Sequence, residues 1–196
     1  MTQDERNRIS TAKIMESAIK EFAHSGYDRG SVNTICTSGE ISKGILYHYF
    51  ATKDELYLAC IRACFSALVS YLNENAPKDG DAESILDGYF TARSRFFMEN
   101  DAYRALFCQA VLTPPSHLQN EIKEIREEFD DLNTDLMTSV LRNVELSEGL
   151  NTDDVIAVFR DYQDFMNARS GSSDFSVHEK KSRMALKILL YGVVRR

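Results

Sequence analysis

The sequence predicts an all-α fold, with a small N-terminal three-helix head joined by one long helix to a larger C-terminal helical bundle. Three observations predict it. Breakers are scarce, with three Pro and nine Gly in 196 residues, so long stretches are open to helix. Between the breakers, apolar residues recur at spacings of three and four, the stripe of an amphipathic helix. No alternating apolar and polar run bounded by turns supports a sheet.

In the first helix, Ile9, Ala12, Met15, Ala18, Ile19, Phe22 and Ala23 carry the stripe, with Ile14 less well placed on it. Gly26 stops this helix, and Tyr27 returns to the core. "GSVNTICTSGE" is a short second helix with Val32, Ile35 and Cys36 on its buried side. Gly39 makes a tight turn, and Ser42 caps a third short helix from Lys43 to Phe50. "TKDE" at 52–55 has the spacing of a capping box and opens a long helix, with Leu56, Cys60, Cys64 (or Ile61), Leu68 and Leu72 along one side. Pro77 and Gly80 end it. Further helices are predicted near 82–99, 101–112, 116–146, 152–168 and 176–194, parted by Asn100-Asp101, Pro114-Pro115, Glu148-Gly149 and "SGSSD". The domains expected are residues 1–52 and 53–196.

Hydrophobic content of 43% and charged content of 27% are those of a globular protein. The N-terminus has no apolar core of a signal peptide. No stretch is expected to reach the roughly 20 apolar residues of a membrane span, so the expectation is a cytoplasmic protein without a membrane partner. Four cysteines, Cys36, Cys60, Cys64 and Cys108, form no CxxC, which suits a reducing compartment. The net charge of −7 argues against indiscriminate coating of nucleic acid, but it is unevenly spread. Residues 1–57 carry seven Lys/Arg against eight Asp/Glu, whereas the remainder carries sixteen against twenty-two. A nucleic-acid contact therefore belongs in the first third, where Ile41 to Lys53 holds no carboxylate.

Two short helices meeting at a glycine-containing turn describe a helix-turn-helix DNA reader. Within it, "ISKGILYHYFATKDEL" resembles the recognition-helix signature of the TetR family of transcriptional regulators, at Ile41, Ser42, Gly44, Leu46, Tyr47, Tyr49, Phe50, Lys53 and Leu56. "FAHSGYDRGSVNTIC" is similar to the family segment leading into its second helix. Where the family has Ala-Gly at the turn this chain has Gly39-Glu40, and where it has Thr this chain has Gly30, with Ser31 the nearest hydroxyl.

A recognition helix presses its first turn towards the major groove. A bare Gly44 admits the backbone closely. Ser42 faces phosphate at the helix N-terminus, where the dipole favours anions. Lys43, Tyr47, Tyr49 and Lys53 are candidate phosphate donors. Ile45 is placed to touch a thymine methyl, and His48 a phosphate or base edge. Leu46 and Phe50 face inward.

The resemblance implies a homodimer on a palindromic double-stranded operator, with the last two helices of each chain as the interface. The residues nominated are Val155, Val158, Phe159, Tyr162, Phe165, Met184, Ile188 and Tyr191. In the body, aromatic and soft residues are dense, Met98 among them, and Phe65, Tyr89, Phe90, Phe96, Phe97, Tyr103, Phe107, Cys108 and Met137 are nominated to line an apolar effector pocket. Arg93 would anchor it, with Arg95 or Gln109 as other polar choices. Cys60 and Cys64 lack a His at ligand spacing. Glu21-x-x-His24 is a single copy where a bundled di-iron site needs two, so no metal, cofactor or catalytic residue is predicted. His117 and His178 are expected at the surface. The function expected is a ligand-responsive DNA-binding repressor. The alternatives are a helical small-molecule-binding protein without DNA binding, or an all-α enzyme.

Overall fold

The computed structural model describes residues 2–142, 145–169, 180–181, 183–185, 188 and 192. Its helices are α1 (Gln3–Arg29), α2 (Val32–Ser38), α3 (Lys43–Tyr49), α4 (Lys53–Asn75), α5 (Ala82–Glu99), α6 (Asp101–Leu112), α7 (Gln119–Leu141) and α8 (Thr152–Arg169), with a single 3-10 turn at Ser116–Leu118 before α7. No β-strand occurs among the described residues. The chain forms two compact units, one of residues 1–66 and 100–126, the other of residues 67–99 and 127–196.

α1 starts six residues before the predicted stripe, because Thr2 and Glu5 form a reciprocal capping box. Its buried line is Ile14, Ala18 and Phe22, each fully buried at i, i+4 spacing, while Ile9 and Ala12 are exposed. Ile14 is therefore central rather than marginal, and Ile9 lies on a part of α1 that runs ahead of the core. Gly26 breaks the helix at φ 73°, ψ 176°, and one more turn follows, closed by the Gly30 amide on the Gly26 carbonyl at 3.0 Å. The break deprives carbonyls of the preceding turn of their helical partners. α6, which packs on α1, answers with Gln109, whose side-chain amide donates to the Phe22 carbonyl at 2.9 Å and to the Ala23 carbonyl at 3.5 Å.

Tyr57 is fully buried on α4, with the rings of Phe22 and Tyr27 each edge-on to it at 5.1 Å. Leu56, Cys60, Cys64, Leu68 and Leu72 are buried as their spacing predicts. α4 is long and apolar enough to cross a membrane by length and composition, contrary to the expectation from sequence. Its apolar character has a packing cause, since half of that stretch is buried within the protein. The cap at its start also differs from the one predicted. Thr52 accepts the Glu55 amide at 3.1 Å, but the Glu55 carboxylate reaches the Ala51 amide, at 2.7 Å, rather than that of Thr52.

In the second unit, α5 buries Ile85, Tyr89, Phe90, Phe96 and Phe97. Tyr89 donates to Asn133 Oδ1 at 2.5 Å, and Asn133 donates to the Phe129 carbonyl at 2.9 Å. Arg93 is buried, with its guanidinium 5.5 Å from the Phe129 ring and 5.9 Å from that of Phe97. The helix predicted at 116–146 opens as a 3-10 turn behind Pro115 and ends at Leu141, ahead of the Gly149 that the sequence offers as its stop. The helix predicted at 176–194 falls mostly outside the described residues.

Burial pushes the Cys60 thiol from 9.0 up to about 12. The Tyr27 phenol rises from 10.0 to about 12, through burial first and then the hydrogen bond and charge of Asp54. Both groups hold their proton more tightly folded than unfolded. Their contribution to stability is complete below pH 9 and is lost as pH climbs towards 12. Thermal melts should therefore show a falling Tm above pH 9. Cys60→Ala should flatten that fall by about 1 kcal/mol per pH unit; an unchanged slope would show that Cys60 does not carry it.

Candidate nucleic-acid interface

The interface is built on α2, the turn and α3. Ser31 caps α2 by accepting the Thr34 amide at 3.3 Å, and its own amide donates to the Glu21 carboxylate of α1 at 3.0 Å. α2 buries Ile35 and Cys36, while Val32 is only half-buried. Gly30 leaves room for the Phe22 ring, because an added Cβ would stand 2.6 Å from it.

The turn divides its demands between two neighbouring residues. Gly39 has φ −85°, open to any residue, but a Cβ there would lie 2.7 Å from both Ile41 Cδ1 and Ser17 Oγ. Glu40 holds φ 53°, the left-handed region that an L side chain enters at a cost of about 1–2 kcal/mol. The glycine therefore sits where space is short, and the carboxylate sits where the backbone is strained. The Glu40 side chain is exposed.

α3 has seven residues and one fully buried side chain, Leu46. Ser42 caps it by accepting the Ile45 amide at 3.2 Å. The other flank is outward. Ile45 is 44% exposed and Tyr47 47%, while Ser42, Lys43, Gly44 and His48 are exposed too. Around Gly44 the space is open, since a Cβ would meet only Ser42 Oγ at 4.0 Å. Nothing among the described residues requires glycine there, and a helix interior disfavours it by roughly 1 kcal/mol against alanine.

The nominated donors divide into two groups. Lys43 and Tyr47 make no hydrogen bond or ion pair among the described residues. Tyr49 is half-buried and donates to Asn7 Oδ1 at 2.8 Å, with the His48 ring edge-on to it at 5.1 Å. Lys53 donates to the Asp28 carbonyl at 3.3 Å, with its ammonium 4.6 Å from the centre of the Tyr27 ring. These contacts make Tyr49 and Lys53 part of the frame that holds α3.

A polar cluster beside this frame has no counterpart in the sequence reading. The Tyr27 hydroxyl donates to Asp54 Oδ1, and His117 Nε2 lies 3.2 Å from that hydroxyl and 3.3 Å from Asp54 Oδ2. The cluster ties the last turn of α1 and the first of α4 to the 3-10 turn. His117 is at the surface, as expected, yet engaged; its partners lie 63 and 90 residues away, a separation that no local pattern reports.

The residues nominated in the body are dispersed. Phe65, Tyr103, Phe107 and Cys108 belong to the first unit, where the rings of Phe65 and Phe107 lie 5.3 Å apart. Tyr89, Phe90, Arg93, Phe96, Phe97 and Met137 belong to the second, all buried. On α8, Val155 and Phe159 are buried while Val158 is 57% exposed and Tyr162 half-buried. Met184 and Ile188 are 56% and 66% exposed. Tyr191 and the side chain of Phe165 lie outside the described residues. No group of three or more His, Cys, Asp or Glu placed to hold a metal occurs among the described residues.

A capped, outward-facing second helix on a glycine turn, with no strand among the described residues, is the arrangement of a helix-turn-helix. Residues 14–60 match the family model described as bacterial regulatory proteins, tetR family. Residues 14–60 of the chain therefore carry a helix-turn-helix of the TetR kind. It is 28% identical over 131 residues to the biofilm operon icaADBC HTH-type negative transcriptional regulator IcaR of Staphylococcus epidermidis; the match covers 66% of each chain, so it spans just under two thirds of that relative's length. Among solved structures, the transcriptional regulator FadR from Bacillus subtilis in complex with stearoyl-CoA superposes with a TM-score of 0.76, at 16% identity over 93% of this chain and 98% of that one. The fatty acid degradation regulator FadR from Bacillus halodurans gives 0.74, also at 16% identity, over 93% and 98%. These two likenesses concern the fold.

The turn supplies a test with opposite signs at adjacent positions. Gly39→Ala should destabilise the protein by no more than about 1 kcal/mol, as its Cβ pushes aside the ends of Ile41 and Ser17 and presses on the Ile35 carbonyl 3.1 Å away. Glu40→Gly should stabilise it by about 1 kcal/mol through release of the left-handed strain. Chemical denaturation of both variants checks this, and equal signs would refute the division of roles.

Proposed function

We propose that this chain is a ligand-responsive repressor that binds a palindromic operator as a homodimer and is released by a small, largely apolar effector. Residues 1–52 are the DNA-binding domain, and 53–196 bind the effector and form the dimer. The observation that carries this reading is α3, whose exposed first turn offers bare backbone at Gly44 beside the uncommitted Lys43 and Tyr47.

Lys43 and Tyr47 contact phosphates and set register, and the amides at the start of α3, which have no preceding turn to bond, favour a phosphate oxygen. Ser31, with its capping oxygen committed to α2, retains a hydroxyl proton for a backbone phosphate. Ile45 reads a thymine methyl, and His48 meets a phosphate or a base edge. Tyr49 and Lys53 act at the margin of the contact while bracing α3.

Two recognition helices about 34–36 Å apart meet successive half-sites, which requires a two-fold dimer. Support for the interface comes from Val158, Met184 and Ile188, three exposed apolar side chains in the segments nominated from sequence. The stearoyl-CoA held by the Bacillus subtilis regulator supports an effector with a long apolar part. Effector binding shifts the population away from the spacing that fits the operator, and a coupling of about 1–3 kcal/mol changes affinity by roughly 5- to 150-fold. The protein works in the cytoplasm, with no membrane partner, cofactor or catalytic step.

A gel-shift with DNA flanking the chain's own reading frame tests the DNA reading. A discrete shift that weakens as salt rises is expected. Gly44→Ala is the decisive variant, because the fold has room for the methyl group. It should melt no lower than the parent and yet bind operator at least tenfold more weakly. Retained affinity would exclude close backbone approach. Lys43→Ala and Tyr47→Ala should weaken binding to all sequences, whereas Ile45→Ala should alter base preference.

The dimer reading has its own test. The double variant Val158→Glu/Ile188→Glu should sediment as a folded monomer at micromolar concentration and lose the discrete shift. A dimer that survives both substitutions would move the interface elsewhere.

A further inference from the structure

The geometry points to a binding site for a lipophilic cation in a groove of the second unit, lined by residues of α4, α5 and α7. The inference rests on the reading of the body as the effector-binding part and names the chemical class that the groove accepts. Its volume is about 390 Å³, within the roughly 300–1,000 Å³ typical of small-molecule sites. The floor is apolar and fixed. Val69, Leu72 and Ile85 are buried beneath it, and the Tyr89 ring is held there by its hydrogen bond to Asn133. Pro77 and Ala76 form one end, half-buried. That end is seated by Gly88 of α5, where an added Cβ would stand only 2.2 Å from Pro77 Cγ.

Charge decides the occupant. Leu132 and Leu136, one turn apart on α7, continue the apolar lining, and beside them stand Glu128, Asp131 and Asp135. The three carboxylates follow i, i+3, i+7 spacing and so share one helix face. None makes a hydrogen bond or ion pair among the described residues, and neither does Lys78, the one cation of the lining. Like charges three or four apart on a helix repel, so this row lowers the stability of α7. An apolar body bearing positive charge would fill the groove and neutralise the row. An anionic amphipath of the same shape would meet repulsion there.

Calorimetric titration of the full chain with tetraphenylphosphonium and with tetraphenylborate, ions of matched shape and opposite charge, tests this. The cation is expected to bind saturably at one site, and the borate at least tenfold more weakly. The triple variant Glu128→Gln/Asp131→Asn/Asp135→Asn should melt no lower than the parent, weaken the cation by about tenfold and narrow the preference between the ions. Should that variant not fold, the single reversal Asp135→Lys at the exposed rim should weaken the cation and strengthen the borate. Equal binding of the two ions, no binding of the cation, or binding indifferent to these substitutions each overturns the inference. The gel-shift separates it from the reading it rests on. A discrete operator shift without cation binding sinks the groove assignment alone, and cation binding without any operator shift sinks the regulator assignment alone.

Discussion

A helix of seven residues has no right to exist in water by itself, because the cost of nucleation exceeds what one or two turns return. α3 exists because Leu46 is drawn wholly into the head and Ser42 closes its first turn. That single anchorage dictates the rest. With one side chain committed inward, every neighbouring residue from Lys43 to His48 faces out, and the glycine among them lies on open ground. The pins around it, Tyr49 on Asn7 and Lys53 over Tyr27, set how α3 leaves the head. Contact chemistry on this face is thus a by-product of how little of the helix the core takes.

Glycines elsewhere serve a different end. At Gly30 and Gly39 a missing side chain lets a neighbour in, the Phe22 ring in one case and Ile41 with Ser17 in the other. At Gly26 the backbone itself is left-handed, and the bend it makes is answered by the Gln109 amide from α6. The head is held by such exchanges, in which an unsatisfied carbonyl or a vacant Cβ on one element is met by a group from another. Gly44 stands apart because nothing among the described residues would crowd a side chain there.

The head was legible because its rules are local. The cap at Ser42, the Thr52 half of the capping box, the break at Gly26 and the inward placement of Leu46 each follow from residues within a few positions of one another. Helix ends were legible where Pro or Gly marks them, as at Ala82 and Leu112, and illegible at Leu141, where the sequence offers no breaker. Register on α1 was misjudged at Ile9 because periodicity does not reveal how far a helix runs ahead of its core. The Tyr27–Asp54–His117 cluster depends on tertiary approach across scores of residues and has no sequence signature. Aromatic density in the body named buried residues well, but burial alone does not assign them to one cavity. The ten nominated residues are in fact shared between two units.

The unusual turn has a consequence for building hybrid regulators. Gly39 answers to Ser17 and Ile41, and Leu46, Tyr49 and Lys53 answer to the core of the head, to Asn7 and to Asp28, so turn and helix alike are fitted to the scaffold. A foreign reading helix spliced in at Ser42 keeps its host's geometry only where it retains the inward residue at 46 and the contacts of Tyr49 and Lys53. One spliced in at residue 39, bringing alanine followed by glycine, would in addition have to displace the ends of the Ser17 and Ile41 side chains.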